Sequence, residues 1–182
     1  MNKIFFWYYC LHLFDAISLI VAFYIFYFTF GAFFKSKKAS AFRITNLILL
    51  IITIYVIINT TIISRAASEY KTVITPFYSF VVAKTQPEMW RQMYMNVALF
   101  IPFGIFLVNI FSDKIKPFIR VALTSATGAL LSLTIELSQH FYSLGEAWTD
   151  DVICNALGAF CGATIIYAIG MFTQKHIKRT DE

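Results

Sequence analysis

Apolar residues fall into five long blocks separated by short clusters of charge. The first runs almost unbroken over residues 4–34 and is rich in Phe and Tyr, and the others cover 44–64, 92–111, 118–142 and 151–172. A helix crossing a bilayer needs about 20 apolar residues, so the first block is too long for one untilted crossing. The span is expected at 15–34, with 4–14 lying at the interface or extending the helix outward. A cleaved signal peptide is the competing reading, but the block is too long for an h-region and lacks a small-x-small site before the next charges. A further apolar stretch, 73–82, is too short to cross and carries Pro76 near its start. An interfacial or re-entrant segment suits it better. The pattern thus predicts an all-α, polytopic transmembrane helix bundle of about five spans, with an interfacial or re-entrant segment before the third span. Residues 1–68 form a two-span N-terminal region, 69–172 a membrane domain and 173–182 a cytoplasmic tail.

Composition agrees with a membrane protein. Of 182 residues 59 % are hydrophobic and only 14 % charged, with a mean hydropathy of +0.69. Soluble domains average about 45–50 % apolar and about 25 % charged. The net charge of +5 raises the question of nucleic acid. The basic residues sit in short inter-helix clusters, not in a stripe with interleaved aromatics, so no nucleic-acid partner is expected. Such clusters set topology instead. Lys35, Lys37, Lys38, Arg43, Lys114, Lys116, Arg120, Lys175, Lys178 and Arg179 fall on one side of a five-span chain, against Lys3, Arg65, Lys71, Lys84 and Arg91 on the other. Ten against five predicts an external N-terminus and a cytoplasmic C-terminus. The three cysteines, Cys10, Cys154 and Cys161, all sit in apolar runs and form no CxxC pair. They read as small buried hydrophobes.

Polar residues inside these blocks are the candidate chemistry, because a carboxylate in a hydrophobic span is expensive and by default functional. With the topology above, Asn96 lies about 6 Å in from the outer end of its span and Glu136 about 9 Å in from Tyr142. Gln139 is one turn from Glu136, and Asp151 and Asn155 occupy the start of the last span. Asn96, Glu136, Gln139, Asp151 and Asn155 are therefore expected to meet in one polar pocket near the outer leaflet. Each also has a plainer reading. Glu136 can lock helices together; Asp151, with Thr149 and Asp150, can cap a helix N-terminus; the amides can be supporting hydrogen-bond partners. Pro102 should kink its helix, and Gly158 with Gly162 makes a small-xxx-small packing face. His140, four residues after Glu136, is thin support for a metal, and no cofactor is expected.

Asn96, Phe100, Pro102 and Gly104, then Glu136 and Gln139, then Asp151, Asn155, Gly158 and Gly162 occur in an order and spacing that resembles the VanZ-like family of small bacterial membrane proteins. Their blocks read N-x-x-x-F-x-P-x-G, E-x-x-Q and D-x-x-x-N-x-x-G-x-x-x-G in that family. Thr75-Pro76-Phe77 resembles the family's N-L-x-P-F turn, with Val73 in place of its asparagine. The resemblance covers residues 73–166, about half the chain. Many members carry an Arg and an Asp shortly before the motif aspartate, where this chain has Gly145 and Trp148. The resemblance implies a role in resistance to glycopeptide antibiotics, teicoplanin above all, at the cell envelope. It names a phenotype more securely than a reaction.

Three functions fit these residues. A non-enzymatic envelope protein would bind a membrane lipid, a lipid-linked envelope precursor or the antibiotic's acyl tail in the outer pocket. An enzyme would use Glu136 as general base on a lipid-linked substrate, with Asp151 and the asparagines orienting it; no nucleophile–base pair is legible to accompany it. A scaffold or small transporter subunit is the third, though no inverted repeat is visible. The first is preferred.

Overall fold

The structure, a computed structural model, describes residues 39–65 and 71–180. The expected first span at 15–34, with Cys10, lies outside these residues. The chain divides into compact units 1–45 and 46–182, and the packing and site described below belong to the second.

Helix α1 (Ala39–Ile58) runs directly into a wider π-turn, Asn59–Ile63. Much of it is β-branched, a composition that disfavours helix in water. In lipid the backbone has no partner but itself, so helix is the form that satisfies it. The threonines add to this by bonding back one turn: Thr53 Oγ1 to Leu49 O at 2.8 Å and Thr61 Oγ1 to Ile57 O at 2.7 Å. A three-residue strand β1 (Lys71–Val73) and a one-turn helix α2 (Tyr78–Val82) follow. Three long helices complete the fold: α3 (Glu88–Ile110), α4 (Pro117–Tyr142) and α5 (Thr149–Thr180). Between the last two lies β2 (Glu146–Trp148), paired parallel to β1 with Val73 opposite Trp148.

Among the described residues four helices are long and apolar enough to cross a membrane: Phe42–Ile63, Glu88–Ile110, Pro117–Tyr142 and Thr149–Gly170. Their bounds fall within a few residues of those read from the hydrophobic pattern, and the molecule is an all-α bundle of a multi-pass membrane protein. Large apolar side chains such as Ile51, Tyr55, Leu130 and Leu157 are exposed on its outside. In water that would be a liability; facing lipid it is the expected arrangement.

Helix α5 packs against both α3 and α4, most closely against α3. The approach is set by glycine. A β-carbon on Gly158 would collide with the Val97 carbonyl oxygen, one on Gly162 with that of Ile101, and one on Gly104 with the Ala159 backbone. Small residues permit such backbone contact, and close packing holds helices together where lipid tails offer no hydrophobic drive. Phe100, Phe103, Ile105 and Phe106 of α3 are buried beside Ala159 and Ala163 of α5.

Helix α3 continues through Pro102 to Ile110 without a break, and Gly104 serves the contact with α5. The apolar stretch 73–82 is not one element. It is the end of β1, a turn at Pro76 in which Phe77 adopts φ 61°, and the single turn of α2. A residue other than glycine rarely adopts that conformation, so something must hold the turn.

Candidate functional site

What holds it is Asp150. Its Oδ1 accepts from the Phe77 N–H at 2.5 Å and its Oδ2 from the Ser79 N–H at 2.7 Å. Asp150 is only 2 % exposed, so both bonds are shielded from water. The first N–H groups of a helix have no partner within it, and here a carboxylate from α5 supplies one. Thr149 Oγ1 adds a bond to Ile74 O at 3.1 Å. The β1–β2 pair and these contacts fasten the segment before α3 to the start of α5.

The same return of the chain places Glu136. Helix α4 ends at Tyr142, Ser143 takes a left-handed conformation with its N–H on Gln139 O, and Gly145 has φ 117°. That reversal brings β2 back over the last turns of α4. The Trp148 N–H then donates to Glu136 Oε2 at 2.8 Å. Glu136 is 7 % exposed and points into the protein, not toward lipid.

Around Glu136 the charges converge. The Asp151 carboxylate lies near enough to interact with it electrostatically, and the Arg65 charge acts on both acids. The Asn96 side chain hydrogen-bonds Asp151. Arg65 follows the π-turn of α1 and reaches across to Gly145, where a β-carbon would lie 2.9 Å from its Nη1. Glycine at 145 thus serves both the positive φ and the room for this guanidinium.

Of the five residues expected to share a pocket, Asn96, Glu136 and Asp151 are brought together from α3, α4 and α5. Asn155 lies one turn further along α5 from Asp151, and its Nδ2 donates to Ser132 Oγ at 2.7 Å. Ser132 is one turn from Glu136 on α4, so the Ser132–Asn155 bond forms a floor beneath the two acids. Gln139 turns the other way and donates through Nε2 to Thr61 O at 2.9 Å. The π-turn leaves that carbonyl at a helix end without an intrahelical partner. His140 Nδ1 pairs with Thr72 Oγ1 of β1 at 2.9 Å.

Three participants were not singled out from the sequence. Arg65 counted only as a topological charge, because nothing local ties it to residues 71 and 86 positions away. Asp150 read with its neighbours as a cap for its own helix, whereas it caps α2. Ser132 looked like one more small residue in an apolar span. The spacing of four between Ser132 and Glu136, mirrored by Asp151 and Asn155, was the signal available for it. Cys154 and Cys161 are free thiols.

Comparison with known proteins now has a geometry to stand on. Protein VanZ of Enterococcus faecium is 36 % identical to this chain over 89 residues, which is 49 % of the chain and 48 % of that protein. The match therefore spans about half the length of this curated relative. No solved structure matches. A family model described as VanZ/LLP1 covers residues 14–171, further toward the N-terminus than the motifs alone reach. With its three motif blocks on helices α3, α4 and α5 and a family match over most of its length, the chain belongs to the VanZ/LLP1 family.

Proposed function

We propose that this protein lowers susceptibility to glycopeptide antibiotics of the teicoplanin type by holding a membrane amphiphile at the Glu136–Asp151 site. It would act at the bacterial cell membrane, with its N-terminus outside and its C-terminus cytoplasmic, so that the site lies toward the outer leaflet. The amphiphile is a lipid, a lipid-linked envelope precursor or the acyl chain of the drug itself. One observation carries the reading: two carboxylates from separate apolar helices lie within electrostatic reach of each other and of one arginine. Keeping such a pair inside a membrane protein is costly without a task. A purely structural link between α4 and α5 is already supplied by Ser132 and Asn155.

Binding is favoured over catalysis by what Glu136 already does. One of its oxygens is engaged by the Trp148 N–H, which suits a fixed acceptor better than a base that must take and release a proton. The test is susceptibility of cells expressing wild type or Glu136→Gln at matched membrane levels. Glutamine retains an oxygen for the Trp148 N–H while it removes the carboxylate and puts an NH2 donor in place of the second oxygen. Loss of protection is expected; full protection by the variant would end the proposal.

A further inference from the structure

Two buried amide oxygens near the acids lack a donor among the described residues. Gln139 is 1 % exposed and Asn155 3 % exposed, and each donates one N–H of its amide to the protein. Among the described residues neither Gln139 Oε1 nor Asn155 Oδ1 has a partner. At Gln139 the orientation is forced, because the Thr61 carbonyl can only accept. Buried acceptors without donors are uncommon, and each calls for a missing partner. These two flank the acids: Asn155 lies one turn below Asp151 on α5, and Gln139 nearly one turn beyond Glu136 on α4. Between them stand two carboxylates, which when ionised only accept.

Charge points the same way. One guanidinium acts on Glu136 and Asp151, and Asp150 adds its own charge beside Asp151. The α5 N-terminus would attract an anion, but Asp150 and Asp151 already fill it. An anionic headgroup would meet three acids and one guanidinium. Resting on the amphiphile-binding reading above, we infer that the site takes the primary ammonium of a lipid headgroup, donating to the Glu136 and Asp151 carboxylates and to the unpaired Asn155 Oδ1. An ammonium brings three donors and no acceptor, the complement of this lining. The exposed Leu137 and Phe141 beside Glu136 on α4 offer apolar surface for the acyl chains.

The test uses the full-length protein in detergent, with native mass spectrometry of retained lipid. Phosphatidylethanolamine, its N-acetylated form and phosphatidylglycerol are supplied in equal amounts with matched acyl chains. Wild type is expected to retain phosphatidylethanolamine at least about tenfold over the other two, about 1.4 kcal/mol of discrimination. Glu136→Gln, which can still bond the Trp148 N–H, is expected to lose that preference. Equal retention of all three by wild type, or preference for phosphatidylglycerol, overturns the ammonium assignment and leaves amphiphile binding standing. Retention of none overturns both readings. A preference that survives in Glu136→Gln also overturns the assignment, since the carboxylate would not be reading the headgroup. Free ethanolamine is the arm without acyl chains. Weak competition by it is expected, and full displacement at equal concentration would overturn a lipid as the source.

Discussion

Replacing Asp150 by alanine removes both acceptors from the turn before α3. The two bonds, 2.5 Å to Phe77 N and 2.7 Å to Ser79 N, join a carboxylate to backbone N–H groups in a site only 2 % exposed. Hydrogen bonds to charged groups contribute about 1.5–3 kcal/mol each, so the pair contributes about 3 kcal/mol at the low end. Helix α2 has one turn and Phe77 sits at φ 61°, so the turn leans on these two bonds together with the Tyr78–Trp148 and Phe80–Trp90 ring contacts. At tenfold per about 1.4 kcal/mol, local opening should become about a hundredfold more frequent. Hydrogen exchange read on peptides covering residues 77–83 reports that opening. Asparagine offers one acceptor where aspartate offers two, so Asp150→Asn should fall near tenfold, about half the effect in free energy. Exchange of Asp150→Ala within about threefold of wild type at these amides, where local opening is what exchange reads, would refute the claim that Asp150 holds the turn.

Three further outcomes follow from the packing and the charges. Gly162→Ala should destabilise the bundle by about 1–3 kcal/mol through overpacking against Ile101. Gly170→Ala, with nothing within 4 Å of an added β-carbon, should stabilise by up to about 1 kcal/mol through helix propensity. Denaturant titration of the two checks the opposite signs, and destabilisation by both would show that the contact is not the cause. Gln139→Glu sets an acceptor against the Thr61 carbonyl and should cost about 1–3 kcal/mol; an unchanged thermal midpoint would contradict that bond. Arg65→Ala takes the positive charge away from both acids and should abolish protection against the antibiotic. Protection retained at normal membrane levels would remove Arg65 from the site.

The spans were legible because lipid imposes a simple rule on length and polarity, and residues 92–111, 118–142 and 151–172 met it plainly. The meeting of Asn96, Glu136 and Asp151 followed from depth alone, once the direction of each crossing was known. Rotation about a helix axis is not fixed by depth, and that is why Gln139 faces Thr61 in place of the acids. Residues joined through tertiary contact gave no local sign. Asp150 was visible as a helix-start acid, but not as the partner of a turn 73 residues earlier. The strands escaped because three residues on each side carry no readable alternation, and each forms only because the other is present.

The ribbon of Lys71–Val73 and Glu146–Trp148 also constrains how the chain is made. Two complete crossings, α3 and α4, separate its halves, so β1 has no mate until both crossings have been made. A chain released before residue 146 would leave Glu136 with no Trp148 amide to receive it. Closing the clasp is thus a late event in biogenesis, and it is the step that turns a stranded acid into an ordered one.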